Sequence, residues 1–194
     1  MPSSRDDYVF FWKVDMPYGW ASQWYYSPFK ARIQLKLGAT TTVDSKRELE
    51  FLSTEHWMMA CKALVFGDLE VLQKVLDSGV GDMRAVKALG RKVQNFDDAV
   101  WKQVREEMVL VGNLHKFRQN EEIRKELFGT GEKMIVEASP RDRIWGVGFE
   151  EKRALEVKDR WGLNLLGKAL MKTRKILRDE REDKTCNANV ESTC

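Results

Sequence analysis

Between Ser53 and Gly67 the chain carries no glycine or proline, and the run Ser53-Thr54-Glu55-His56-Trp57-Met58-Met59-Ala60-Cys61-Lys62-Ala63 reads as one helix with Ser53, or alternatively Thr54, as its N-cap. This segment restricts the fold most, because it is mostly apolar and yet carries ionisable groups where a buried face is expected. Glu55 and Lys62 are seven residues apart, close to two full turns, and share a face with Met58 and Met59 between them. Two arrangements suit such a face. One is a buried ion pair on a structural helix. The other is a carboxylate and an amine on either side of a bound molecule. Separation favours the second: at about 1.5 Å rise per residue the two Cα atoms lie about 10 Å apart, so direct contact would strain the lysine.

With 194 residues, 43% of them hydrophobic, the chain is expected to form one domain with a substantial core, over residues 1–180. The polar segment 181–194 has little to bury and is expected to be a disordered tail. The 33 basic and 30 acidic residues are interspersed, so a net charge of +3 makes no single-sign field and leaves a nucleic-acid partner undecided. Cys61, Cys186 and Cys194 form no CxxC pair, which argues against a disulfide framework and a zinc site and points to an intracellular, cytoplasmic setting. No segment approaches 18 apolar residues, and Arg5, Asp6 and Asp7 precede the first aromatic run, so neither a membrane span nor a signal peptide is expected. Seven tryptophans are many for this length; several lie beside Gly, Asp or Asn, where a flat heterocycle could stack.

The patterning predicts an α+β fold, helix-rich, with short helices packed around a small antiparallel sheet. Tyr8-Val9-Phe10-Phe11-Trp12 reads as a strand, as does the alternating run Ala31-Arg32-Ile33-Gln34-Leu35. Gly38 opens an expected polar connection to about Lys46, and Lys133-Met134-Ile135-Val136-Glu137 is expected to complete the sheet. Helices are expected at about 54–65, 69–77 capped by Asp68, 83–89 started by Asp82, 97–114 with Val100, Val104, Met108 and Val111 on one face, and 121–127. Leu166, Leu170, Thr173 and Leu177 give the last helix its stripe.

Two familiar motifs fail on inspection. Gly162-x-x-x-x-Gly167-Lys168-Ala169 ends in Ala where a phosphate-binding loop needs Ser or Thr, and no strand precedes it; Gly146-Val147-Gly148 lacks the third glycine of a dinucleotide fold. His56 and His115 have no metal-ligand spacing, and His56 reads as a hydrogen-bonding support, so no metal and no cofactor is expected. The loop Glu137-Ala138-Ser139-Pro140-Arg141-Asp142-Arg143-Ile144-Trp145-Gly146 gathers carboxylates, guanidiniums and an indole at a strand end. It suits either a binding loop or a salt-bridged surface turn. Asn164, in Trp161-Gly162-Leu163-Asn164, suits a helix cap or a ligand contact.

Taken together, Ser53 to Met59 with Lys62-Ala63 and Phe66-Gly67-Asp68, Gly90-Arg91-Lys92-Val93 with Phe96-Asp97 and Trp101, Lys116-Phe117-Arg118-Gln119-Asn120, Thr130-Gly131 with Val136-Glu137-Ala138-Ser139, Asp142 to Gly148, and Trp161 to Asn164 with Leu166-Gly167 and Leu170-Met171 resemble the YbiA-like family, also called the NADAR domain. The resemblance covers about residues 8–178. It implies an N-glycosidase that cleaves a ribosyl C1 to exocyclic-nitrogen bond, in ADP-ribosylated guanine or in phosphoribosylamino-pyrimidine intermediates of riboflavin synthesis. The implied partners are an ADP-ribose-like or ribosyl-phosphate substrate, with ADP-ribosylated DNA or RNA as one form of it, and no membrane. Carried over by position, Glu55, Lys62 and Asp142 become the catalytic set. Ser22, Trp101, Trp145 and Asn164 become substrate-binding residues, and Arg141 or Arg143 a phosphate holder. At Trp20-Ala21-Ser22-Gln23-Trp24 the chain departs from the family's Ser-Asn-Phe-like run, with Gln23 in place of the shorter amide.

Such a reaction passes through an oxocarbenium-like state, so the site must stabilise positive charge at C1 and protonate the departing nitrogen. Glu55 suits the role of base or electrostatic stabiliser. Lys62, on an apolar face, is expected to have a depressed pKa and to act as a proton donor or as an amine that captures the opened sugar as a Schiff base. Asp142 would orient ribose hydroxyls or serve as the second acid-base group. Other readings are a non-catalytic module that senses NAD or ADP-ribose, and a scaffold with every tryptophan buried.

Overall fold

The computed structural model describes residues 4–37, 41–79 and 82–191, and side chains as far as 183. Its strands are β1 (Tyr8–Phe11), β2 (Phe29–Leu37), β3 (Thr41–Phe51) and β4 (Met134–Glu137). The helices are α1 (Thr54–Val65), α2 (Leu69–Leu76), α3 (Met83–Arg91), α4 (Asp98–Gln119), α5 (Glu121–Gly129), the single turn α6 (Glu151–Ala154) and α7 (Leu165–Glu191). The fold class is α+β, as the patterning predicts. The chain forms two compact units, one of residues 12–120 and one joining residues 1–11 to 121–194.

In the unit of residues 12–120, β2 and β3 pair antiparallel from Phe29↔Phe51 to Leu37↔Thr41, with an irregularity between Arg32 and Gln34. Period two sets the sides of β2: Phe29, Ala31, Ile33 and Leu35 are buried, while Lys30, Arg32, Gln34 and Lys36 are exposed. α4 packs on β2, and α1 packs on β3, α2, α3 and α4. That central position explains why α1 is apolar almost all round. Its caps and those of its neighbours are local: Ser53 Oγ accepts the His56 amide, Asp68 that of Val71 and Asp82 that of Ala85. Trp57 is fully buried against Phe51 and Phe29, and its indole N–H donates to the Met108 carbonyl at 2.9 Å. Gly112 makes this approach possible, since a Cβ there would sit 2.4 Å from the Trp57 ring.

In the other unit, β1 and β4 pair parallel, Tyr8↔Met134 through Phe11↔Glu137. Tyr8, Phe10, Val136, Ala138, Val147 and Ala154 form its buried cluster, with Phe149, Leu155 and Trp161 against it. α7 packs on β4, with Leu166, Leu170, Thr173 and Leu177 buried as the stripe predicts. Gly167 lies so close to β4 that a Cβ would meet the Ile135 carbonyl at 2.2 Å, which explains this glycine without any phosphate.

Four expectations are corrected. β4 does not complete the antiparallel hairpin but pairs with β1; both are near-continuous apolar runs, the pattern of parallel strands rather than of alternating ones. Of the connection expected from Gly38 to Lys46, residues from Thr41 onward belong to β3, where β-branched Thr41, Thr42 and Val43 outweigh polarity; residues 38–40 lie outside the described set. α4 runs five residues past its expected end at 114, to Gln119, and α7, at 27 residues, is not one of the short helices expected. The tail expected from 181 continues α7 to Glu191, because no glycine or proline stops a helix already anchored upstream; residues 192–194 lie outside the described set.

Candidate active site

Lys62 leaves the buried body of α1 half-exposed, and its amine donates to the Gly90 carbonyl of α3 at 2.8 Å. It lies over the Phe96 ring at 4.0 Å from the centroid and 5.8 Å from that of Trp101. The amine thus has a backbone carbonyl and an aromatic face for neighbours. Burial lowers its pKa from the ordinary lysine value, the direction the apolar face predicts. A lysine with neutral neighbours, an aromatic face and a lowered pKa can reach the unprotonated state that nucleophilic and acid-base chemistry requires.

Glu55, on the first turn of α1, is 3% exposed. Its amide donates to the Gln23 carbonyl at 2.9 Å, and the same carbonyl accepts the Thr54 hydroxyl. The loop through Ser22 and Gln23 thus seals the start of α1. Ser22 Oγ accepts the Trp24 amide, which shapes that loop. The Gln23 side-chain N–H contacts Met58 sulfur at 3.6 Å, and its buried Oε1 has no hydrogen-bond partner among the described residues. The longer amide of the departure from the family pattern thus turns towards the α1 face that carries Glu55 and Lys62.

Lys116 of α4 holds this loop from below. Fully buried, its amine donates to the Trp20 carbonyl at 2.7 Å and the Ser22 carbonyl at 3.2 Å, and burial pushes its pKa down to about 7. His56 is a support, as expected: Nδ1 accepts the Leu52 amide, Nε2 is 2.6 Å from the Val75 carbonyl, and burial lowers its pKa. Trp101 is 7% exposed, so most of its ring is core.

In the other unit, the Asp142 carboxylate accepts the amides of Ile144 at 2.9 Å and Trp145 at 2.7 Å, and so folds its own loop. Arg143 donates to the Arg160 carbonyl at 2.8 Å and lies over Phe149, while Arg141 is exposed and Trp145 is half-buried. Asn164, with φ of 50°, accepts the Glu137 amide and donates to the Ile135 carbonyl, pinning β4 with both side-chain atoms. That explains an asparagine at a left-handed position without a ligand. Within residues 12–120 the structure brings together Lys62, Trp101, Gly90 and Phe96 in one place, and Ser22, Gln23 and Glu55 in another along α1. Among the described residues no group of His, Cys, Asp and Glu could hold a metal ion, and no helix is long and apolar enough to cross a membrane.

The pattern of the NADAR domain matches residues 10–178. The chain belongs to the NADAR domain family. A NADAR relative, N-glycosidase R617 of Acanthamoeba polyphaga mimivirus, is 38% identical over 174 residues, 87% of this chain and 95% of that protein. N-glycosidase Npun_R5314 of Nostoc punctiforme is 30% identical over 171 residues, 88% of this chain and 93% of that protein. The NMR structure of the Escherichia coli protein YbiA is similar in fold, with a TM-score of 0.63 at 21% identity over 92% of this chain and 89% of that one.

Three residues that touch Lys62 or the Ser22–Gln23 loop stand in the runs that carry the resemblance but receive no role from them. Gly90 looks like a helix stop but lies inside α3 and supplies the carbonyl for Lys62. Phe96 lies ahead of α4, with its ring beneath the Lys62 amine. Lys116 could have been found, since Val109, Gly112, Asn113 and Lys116 are spaced as one helix face and all four are buried.

Proposed function

We propose that this NADAR chain hydrolyses the bond between a ribosyl C1 and the exocyclic nitrogen of a flat base, in ADP-ribosylated guanine or in a phosphoribosylamino-pyrimidine of riboflavin synthesis. The enzyme class, a hydrolase of N-glycosyl bonds, rests on the two N-glycosidase relatives that match nearly the whole chain. The observation that carries the residue assignment is the Lys62 amine, held by a carbonyl and an aromatic ring with its pKa lowered by burial.

In net terms water supplies a hydroxyl to C1 and a proton to the departing nitrogen. Lys62 serves this in one of two ways. As an ammonium it protonates the leaving nitrogen; as a free amine it condenses with C1 of the opened sugar, releases the base, and is regenerated when water hydrolyses the imine. Glu55 takes the proton from water or stabilises the charge at C1. The resemblance supports roles for Ser22, Trp101, Asp142, Trp145, Asn164 and one of Arg141 and Arg143 in holding ribose, base and phosphate.

The test is turnover on both substrate classes by Lys62→Ala and Glu55→Ala, with folding followed by circular dichroism. Both variants are expected to lose at least about a hundred-fold in kcat, the size of a positioned acid-base group. Wild-type rates in both would overturn the assignment. A borohydride-trapped adduct that vanishes in Lys62→Ala identifies the imine route, and turnover without an adduct identifies proton transfer. Binding of ADP-ribose without any product would instead mark a sensing module.

A further inference from the structure

Two rings flank the Lys62 amine, and they differ in what they can touch. Trp101 is 7% exposed, whereas Phe96 is 43% exposed and has its centroid 4.0 Å from the amine nitrogen. The posture of Phe96 is fixed from both sides. Asn95 before it holds a φ of 54°, a region that non-glycine residues enter at a cost, and the preceding Gln94 amide is tied to the Asp68 carboxylate at 2.9 Å. Asp97 after it caps α4 by accepting the amides of Ala99 and Val100. Phe66 packs against the ring, centroid to centroid 5.2 Å with the planes at 63°, and the Lys62 amine stands over it.

We propose that Phe96 is a substrate-contacting residue of the Lys62 site, its exposed ring stacking on the flat base whose bond to ribose is cleaved. This deepens the N-glycosidase reading and rests on it. It also moves the stacking wall within residues 12–120: the resemblance makes Trp101 and Trp145 the aromatic members, but a Trp101 ring already surrounded by core offers little face to a base. The Lys62 amine stands over one face of the ring, 4.0 Å from its centroid, so a base stacked on the rest of the exposed ring lies beside the amine that would act on it. Stacking on one aromatic face is tolerant of base identity, so Phe96 sets affinity for the base and leaves its choice to polar groups.

The experiment is steady-state kinetics of Phe96→Ala, Phe96→Leu, Phe96→Tyr and Phe96→Trp on whichever N-ribosyl substrate the wild-type enzyme turns over. Phe96→Ala is expected to raise KM about five- to a hundred-fold, the range for one base–aromatic stack, with a much smaller change in kcat. Phe96→Tyr and Phe96→Trp should return KM to within about three-fold of wild type, and Phe96→Leu, of similar bulk without a π face, should not. Because the ring is largely exposed, these variants are expected to fold, and Phe96→Leu keeps the comparison sound if the alanine variant does not. A wild-type KM in Phe96→Ala, or a leucine variant as good as the tryptophan one, would overturn the proposal while leaving N-glycosidase activity standing. Absence of turnover by the wild-type enzyme on every N-ribosyl substrate would remove both readings together.

Discussion

Two lysines of one compact unit show how the same side chain is put to different uses by its surroundings. Lys62 is half-buried beside an exposed ring, and Lys116 is wholly enclosed with two carbonyls. A neutral amine has two N–H groups, which is the number Lys116 uses. In the unfolded chain Lys116 holds its proton up to about its ordinary value of 10.5, while in the folded protein it releases it near about 7. Between those values unfolding takes up a proton, so this group makes the protein more stable as pH rises through the window and contributes no slope below it. The stability of wild type relative to Lys116→Met is therefore expected to increase from about pH 7.5 to about pH 9, by at most about 1.4 kcal/mol per unit for a single proton. Urea unfolding at the two pH values measures it, and parallel pH dependence in the two proteins would refute it.

At the scale of elements, the contact of α1 with α3 ties the reactive amine to the packing. Gly90 both supplies the carbonyl that Lys62 bonds and leaves room for Met59, whose sulfur would be 1.8 Å from a Cβ at that position. Gly90→Ala is expected to destabilise the protein by about 1–3 kcal/mol through overpacking, and to lower kcat as the carbonyl is displaced. An unchanged denaturation midpoint would show that Met59 can move aside without cost. The helices around this contact were legible because their signals are local: Ser53, Asp68 and Asp82 each cap within three residues of themselves. β3 was half hidden, since beyond its β-branched start Lys46, Arg47, Glu48 and Glu50 give it a polar surface, and there pairing with β2 makes it a strand. The partner of β4 was invisible, because parallel pairing leaves no turn signature between the two strands.

At the scale of the molecule, charge is spread rather than gathered, and this sets what a nucleic-acid form of the substrate would look like. With 33 basic and 30 acidic residues interspersed, few phosphates are expected to be neutralised on binding. KM for ADP-ribosylated DNA is expected to change less than about ten-fold between about 50 and about 200 mM salt, against the thousand-fold or more of proteins with many phosphate contacts. A steep salt dependence would reveal a basic track that composition conceals. Helical spacing puts Glu55 and Lys62 on one side of α1 from the sequence alone. Phe96 and Lys116 were not legible there, because exposure and enclosure are properties of the packed chain and no spacing along the sequence encodes them.

The parallel pairing of Tyr8 with Met134 also bears on how the chain is made. With well over a hundred residues between them, β1 leaves the ribosome many seconds before its one strand partner among the described residues exists, given synthesis at about 5–20 residues per second. Through that interval an apolar segment, Tyr8-Val9-Phe10-Phe11, has to wait unpaired while residues 12–120 are free to condense. Of the described strands β1 is made before its partner and must wait for it, so a nascent chain is most open to proteases at this segment.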